Sequence, residues 1–262
     1  SASKKSGIGR SATHRPTAEQ PRIWRQRFPK YRRALSRRPD IVLTRRAAFK
    51  KIFPMNASVI YSNLKKEVLK RLPRPGSYSC AVPGLEFFRV DESKRSENCF
   101  YKTKIVLMLQ GRKRALIGRD EYSYGPGQCL VSGVDVPGTS YVAEGSPEKP
   151  ALAISLALDM GMVSRLLSEM PTLPVSGGPC RGIAVADADL GMLDAFLRLV
   201  RLLDSEGDIP IFAPIIIREI YSRLLVGPLG GHVRGFCTRG TQNNRIMRAV
   251  DWLKGNYDKP IR

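Results

Sequence analysis

Ala151-Leu152-Ala153-Ile154-Ser155-Leu156-Ala157-Leu158 alternates small and large side chains without a break. A period of two sets Leu152, Ile154, Leu156 and Leu158 on one face of an extended strand. Ala151, Ala153, Ser155 and Ala157 fall on the other. Upstream the same kind of signal recurs. Leu85, Phe87 and Phe88 open a run of short strands, and Ile105-Val106-Leu107-Met108-Leu109 suits a strand buried on both faces. Gln110-Gly111 turns the chain into 114–117, and Gly118-Arg119-Asp120 turns it again into 122–124. Gly125-Pro126-Gly127 then leads into Cys129-Leu130-Val131. Short strands of even spacing, divided by glycine turns, predict a small barrel or sandwich.

Helical periods flank this β region. In 56–72, Val59, Ile60, Leu64, Val68, Leu69 and Leu72 recur every three or four residues, with Lys65, Lys66, Glu67 and Lys70 between them. That is an amphipathic helix, ended by Pro73 and the Pro75-Gly76 turn. After Asp159 a short helix over 162–170 stops at Pro171. Asp187 or Asp189 can cap a longer one. In it Leu190, Leu193, Leu197 and Val200 form one stripe, and Met192, Phe196, Leu199 and Leu203 an adjoining one, together wide enough to touch two neighbours. A helix over 211–226 follows, with Ile217, Ile220, Tyr221, Leu224 and Leu225 apolar and Gly227-Pro228 as its stop. The glycine-rich, basic stretch 230–240 reads as a linker. In 244–256, Ile246, Ala249, Val250 and Leu253 share a helical face flanked by Arg245, Arg248 and Lys254.

The chain has 262 residues, of which 42% are hydrophobic and 26% charged, which suits a globular protein of one or two domains. No run approaches the ~18 apolar residues of a membrane span, and the start lacks the apolar stretch of a secretory signal. The expectation is a soluble, cytoplasmic protein with no membrane partner. Cys80, Cys99, Cys129, Cys180 and Cys237 are odd in number and scattered, as suits reduced thiols rather than a disulfide framework or zinc site.

The net charge of +21 suggests nucleic acid, but it is unevenly spread. Residues before Met55 carry sixteen Lys and Arg against two acids, so two-thirds of the excess lies in the first fifth of the chain. Segment 1–54 has no apolar period and reads as a basic disordered or non-native extension. A nucleic-acid arm, a transit-like targeting segment and non-native sequence ahead of an initiating Met55 all fit it. Gly7-Ile8-Gly9 looks like the start of a phosphate loop, but no strand precedes it.

Residues that could carry catalysis are scarce. The two histidines, His14 and His232, lie outside the β region, whereas a metal-holding barrel would draw several from its strands. Asp120, Glu121, Asp135 and Glu144 fall at turns, where solvated acids are the rule. Neither a G-x-S-x-G elbow, a Walker loop nor a zinc spacing occurs. No enzymatic activity, metal or cofactor is expected. A barrel interior is filled by its own side chains or by a ligand, and both readings stay open.

Several segments, in order, resemble one family. Leu107-Met108-Leu109-Gln110-Gly111-Arg112-Lys113 is similar to the "LVLQGRK" hairpin of AraC-type transcription regulators. Tyr124-Gly125-Pro126-Gly127-Gln128-Cys129-Leu130-Val131-Ser132 resembles its "Y-x-x-G-x-x-L-V-S" strand pair. Asp204 to Pro210, with Pro214-Ile215-Ile216-Ile217-Arg218-Glu219-Ile220, resembles a "D-x-P-x-L-A-P-L-I-x-R-E-I" segment of one subgroup. The spacing holds from about Leu72 to Gly227. The stretch from Arg245 through Pro260 and Ile261 looks like the opening helix of the family's DNA-binding domain, whose two helix-turn-helix units do not follow in this sequence.

This resemblance implies an α+β fold: a cupin-like β-barrel followed by dimerisation helices, with an incomplete helix-turn-helix domain at the C-terminus. The expected division is a sensor and dimerisation domain over 55–228, a linker over 229–243 and the start of the truncated DNA-binding domain over 244–262. It implies a bacterial transcription regulator sensing a small-molecule effector, with promoter DNA and a second copy as partners. From strand placement, Leu107, Leu109, Tyr122, Leu130, Ser132 and Tyr141 are the candidate effector lining. Leu193, Phe196, Leu197, Val200, Ile217 and Tyr221 are the candidate dimer contacts, and Arg245, Arg248 and Lys254 the candidate phosphate contacts. A cupin-like barrel enzyme and a stand-alone ligand sensor are the alternatives.

Overall fold

The computed structural model describes residues 57–93, 99–171, 182–237, 242–256 and 258–259. The expectation for 1–54 lies outside them. Helix α1 spans Ala57–Lys70 and precedes strands β1 (Gly76–Ser79), β2 (Leu85–Val90), β3 (Cys99–Tyr101), β4 (Lys104–Gln110) and β5 (Arg112–Ile117). Strands β6 (Asp120–Tyr124), β7 (Gln128–Ser132), β8 (Val136–Glu144) and β9 (Ala151–Ala157) complete the continuous β region. Then come α2 (Met160–Glu169), β10 (Ile183–Asp187), α3 (Leu190–Arg201), α4 (Ile209–Val226), α5 (Gly230–Cys237) and α6 (Gln242–Asn256).

The strands form two antiparallel sheets, one ordered β1-β2-β9-β4-β7-β10 and the other β3-β8-β5-β6. The α+β, cupin-like architecture thus stands, with a correction: the sheets face each other as an open pair and do not close into a barrel. Edge strands β1, β10, β3 and β6 have a strand partner on one side only.

Strand β9 pairs β2 in register from Leu85↔Leu156 to Val90↔Ala151, and β4 from Lys104↔Ala157. Its alternation sorts the two cores. Leu152, Ile154 and Leu156 join Ile105, Leu107, Leu109, Cys129 and Val131 under the helices. Ala151 and Ala153 join Val106, Met108 and Leu130 toward the smaller sheet, where they meet Tyr101, Ala115, Tyr124 and Val142. Gly111 turns β4 into β5 with φ of 78°. A Cβ there would press into the Glu144 carbonyl and stand 2.9 Å from the Ala151 Cβ, so both conformation and space call for glycine.

Capping fixes the helix starts. Asp159 accepts the Gly161 and Met162 amides at 2.8 and 3.1 Å, and Asp189 accepts the Met192 amide at 2.6 Å. Helix α1 buries Ile60, Leu64 and Val68, whereas Val59 and Leu69 are exposed. Most of both stripes of α3 is consumed within the chain: Met192, Leu193, Phe196, Leu197, Leu199 and Val200 are buried, whereas Leu190 at its start is exposed.

The stretch expected as a linker over 229–243 contains a helix. Residues 230–237 are helix α5, with Val233 and Phe236 fully buried. Glycines allow its close packing on both sides of the contact. A Cβ on Gly230 would overlap the Leu225 carbonyl, and the Phe236 ring lies where a Cβ of Gly133 would stand. His232 packs edge-on to Phe236 with ring centroids 5.3 Å apart, and burial pulls its pKa below the ordinary value.

Candidate functional site

The space between the sheets gathers polar groups that the fold does not use. Along β5 the inward positions are Lys113, Ala115 and Ile117, opposite Tyr124, Tyr122 and Asp120 of β6. Strand β8 sets Val142 beside Lys113 and Ser140 beside Ala115. Strand β3 supplies Cys99 and Tyr101, and the large sheet closes the other side with Phe88, Met108 and Leu130. The hydroxyls of Tyr101 and Tyr124 are buried without a hydrogen-bond partner. Ser140 and Cys99 stand near the Tyr101 phenol, but neither meets its oxygen in hydrogen-bonding geometry. Burial raises both phenols above their usual value, Tyr124 well above it. Desolvation likewise lowers the half-buried Lys113 ammonium; Cys99 opposes the shift and Lys104 adds to it.

Lys104 differs from Lys113 in having company. It lies 5.3 Å from the Phe88 ring centroid and 3.7 Å from the Glu86 carboxylate, to which Ser155 also donates at 3.3 Å. Lys113 has no carboxylate partner among the described residues.

A second concavity lies outside the sheets. Tyr61, Lys65, Gln110, Gly111, Glu144 and Lys149 line a surface cleft of about 350 Å³. Tyr61 donates to the Leu109 carbonyl, and burial pushes its phenol up to about 12. Lys65 donates to Gln110 Oε1 at 3.3 Å, and Gln110 donates onward to the Pro150 carbonyl at 2.8 Å.

The residues singled out from sequence fall in different places. Tyr122 and Leu130 face the inter-sheet space. Ser132 is buried beside it, but its hydroxyl is engaged with the Val134 carbonyl at 2.6 Å. Leu107 and Leu109 point to the opposite face, into the core under the helices. Tyr141 turns outward, accepting from Arg114 at 3.3 Å. The structure therefore does not bring these six into one pocket. Sequence reasoning missed Lys113, Tyr101 and Tyr124 as a group, although the period of two in 112–117 places Lys113 with Ala115.

The candidate dimer residues are interior. Leu193, Phe196, Leu197 and Val200 pack into the chain's own core. The Tyr221 hydroxyl accepts the Asp159 amide and donates to the Ala157 carbonyl. Ile217 is half-buried. What α4 exposes instead is Ile211, Phe212 and Ile215, at 62%, 47% and 60%. On α6, Arg245 and Arg248 are exposed; the Lys254 side chain lies outside the described residues. The carboxylates are structural: Asp135 accepts from the Thr103 amide at 2.8 Å and its hydroxyl at 3.0 Å, and Glu144 pairs with Arg112 at 3.3 Å. The described cysteines are free thiols. Among the described residues no cluster of three potential metal ligands occurs.

The family model for the AraC-type transcriptional regulator N-terminus matches residues 81–232, from the turn before β2 into α5. The chain belongs to this family. No curated protein sequence matches it. Among solved structures, an apo point variant of ToxT from Vibrio cholerae is similar at 10% identity and a TM-score of 0.47, over 68% of this chain and 66% of that one. Unsaturated-fatty-acid-bound wild-type ToxT is similar at 8% identity and a TM-score of 0.43, over 68% and 65%. The AraC-like transcriptional activator CuxR is similar at 12% identity and a TM-score of 0.36, over 68% and 62%. The AraC-type chain thus spans just under two-thirds of the first of these proteins. No described helix is long and apolar enough to cross a membrane.

Proposed function

We propose that this AraC-type chain is the sensing and dimerising part of a transcription regulator, with its effector held between the two sheets. One observation carries the reading: buried, unpartnered Tyr101 and Tyr124 hydroxyls meet there in an otherwise apolar enclosure. An unpaired buried hydroxyl costs free energy that a ligand can return. The apolar wall with a few convergent polar groups is the usual make-up of a small-molecule site. The chain acts without catalysis, and the bound effector shifts the balance between arrangements of a protein pair.

In this reading the pair forms through the exposed face of α4, not through the interior α3 residues. Helix α6 begins the DNA-binding part, and Arg245 and Arg248, with Lys254 on the same helix, serve as phosphate contacts. Trp252 and Leu253 are exposed on α6, as suits a helix that packs within a larger helical domain. The residue division remains 55–228 for sensing and pairing and 244–262 for the start of DNA binding, now with α5 between them.

A thermal-shift screen of small metabolites tests the site. Ala153→Leu, or Ala115→Leu from the opposing sheet, fills the space between the sheets. Compounds that raise the wild-type Tm should lose that effect in the folded variants. Hits that stabilise both filled variants as strongly as wild type would place the effector elsewhere.

A further inference from the structure

We infer that the turn 133–135, between β7 and β8, is the seat that sets the direction of α6, with α5 as the strut between them. This goes beyond the function proposed above; only its regulatory meaning rests on α6 opening the DNA-binding part. The turn is itself held from both sides. The Gly133 amide donates to the Gly182 carbonyl at 3.1 Å, at the entry to β10. The Ser132 hydroxyl donates to the Val134 carbonyl, and the Asp135 carboxylate is fixed by Thr103. Against this turn α5 presses its last buried ring, for Phe236 occupies the place where a Cβ of Gly133 would stand. The His232 ring, one turn earlier, lies edge-on to Phe236 and beside the Gly182 backbone.

Helix α6 is tied to this junction at two points. Near its start, the buried Asn244 side chain donates to the Phe236 carbonyl at 2.8 Å. Further along, Val250 and Asp251 share a concavity of about 100 Å³ with Thr103, Val134, Asp135 and Met160. Asn244 and Val250 are roughly 9 Å apart along the helix axis, at ~1.5 Å per residue. Two contacts so spaced fix a direction, whereas one would leave a pivot. Both lead back to the same three-residue turn, one through Phe236 on Gly133 and the other directly through Val134 and Asp135. A shift in the connection between β7 and β8 therefore reaches α6 through packed contacts.

A lone helix of 15 residues is marginal in water, so slow amide exchange within α6 reports docking. Hydrogen–deuterium exchange is measured on the full chain at two protein concentrations. Trp252 anisotropy is read in a Trp24→Phe background, which leaves one tryptophan. In wild type, α6 should exchange slowly at both concentrations. Phe236→Ala should speed exchange in α6 by about tenfold or more and lower the Trp252 anisotropy, with β4 and β9 unchanged. Val250→Lys, at a half-buried position of α6, should do the same and serves if the alanine variant does not fold. Exchange in α6 that is fast already in wild type, or that stays slow in both variants, would overturn the seat. Protection seen only at the higher concentration would overturn it too, by placing the cover of α6 on a second copy. The DNA reading fails separately. Arg245→Ala with Arg248→Ala that leaves binding to duplex DNA unchanged would remove α6 from the DNA contact and leave the seat standing.

Discussion

The Tyr221 hydroxyl accepts the Asp159 amide at 3.0 Å and donates to the Ala157 carbonyl at 2.5 Å, tying the end of β9 and the start of α2 to α4. The Tyr124 hydroxyl is equally deep and makes no hydrogen bond. Removing the same oxygen should therefore have opposite consequences. Tyr221→Phe removes both hydrogen bonds, from the part-buried Asp159 amide and to the Ala157 carbonyl, and should cost about 1 kcal/mol. Tyr124→Phe relieves a desolvated hydroxyl and should change stability by less than about 0.5 kcal/mol, or raise it. Urea denaturation without ligand measures both, and the reverse order would contradict the hydrogen-bond pattern described. Lys113 adds a pH signature. Its folded pKa lies below the 10.5 of the free side chain. Between the two values the unfolded chain holds more protons, so this group's contribution to stability rises with pH. Lys113→Met should accordingly be more stable than wild type at neutral pH, with the gap narrowing as pH approaches 10.5. A gap that widens with pH would show that the ammonium is favourably paired in the fold.

At the level of elements, helix α4 shows what sequence could and could not convey. Ile209, Ala213, Ile216, Ile220, Tyr221, Leu224 and Leu225 face the chain's own core, leaving Ile211, Phe212 and Ile215 at the surface. Apolar residues all round a helix signal two partners, but periodicity does not say which face meets the parent domain. The same ambiguity led the dimer expectation to Leu193, Phe196, Leu197 and Val200 of α3 and to Ile217 and Tyr221 of α4, of which all but the half-buried Ile217 lie in the chain's own core. If the exposed α4 face pairs two protomers, Ile215→Glu should weaken self-association by about tenfold or more, at little cost to the monomer's stability. Sedimentation equilibrium reads this. A variant that associates like wild type would remove α4 from the interface. Strand β9 was legible because its two faces differ in size, and α1 because its stripe is narrow. Helix α5 was hidden by its glycines, although Leu229, Val233 and Phe236 keep helical spacing; Gly230 is needed for contact with the Leu225 carbonyl, not for freedom. The effector residues were only half legible. In a strand buried on both faces, such as β4, Leu107 and Met108 are equally apolar, and sequence does not show which side faces the second sheet.

Across the whole molecule, the two apolar cores divide the work. The core beneath the helices is large, continuous and mainly aliphatic, with Phe87, Phe196 and Tyr221 among its members, and it fixes α1, α3 and α4 to the six-stranded sheet. The core between the sheets is smaller and holds the unpartnered tyrosines and Lys113, so it is the less settled of the two and the one a ligand would complete. The outer cleft beside Tyr61 is the rival location, with Lys65 and Lys149 on its rim. Hydrogen–deuterium exchange with the strongest stabilising compound separates the two most directly. Slowed exchange is expected in β3, β5, β6 and β7, four of the strands around the inter-sheet space, with residues 61–65 and 144–149 unchanged. Protection confined to those outer residues, with the four strands exchanging as before, would contradict it.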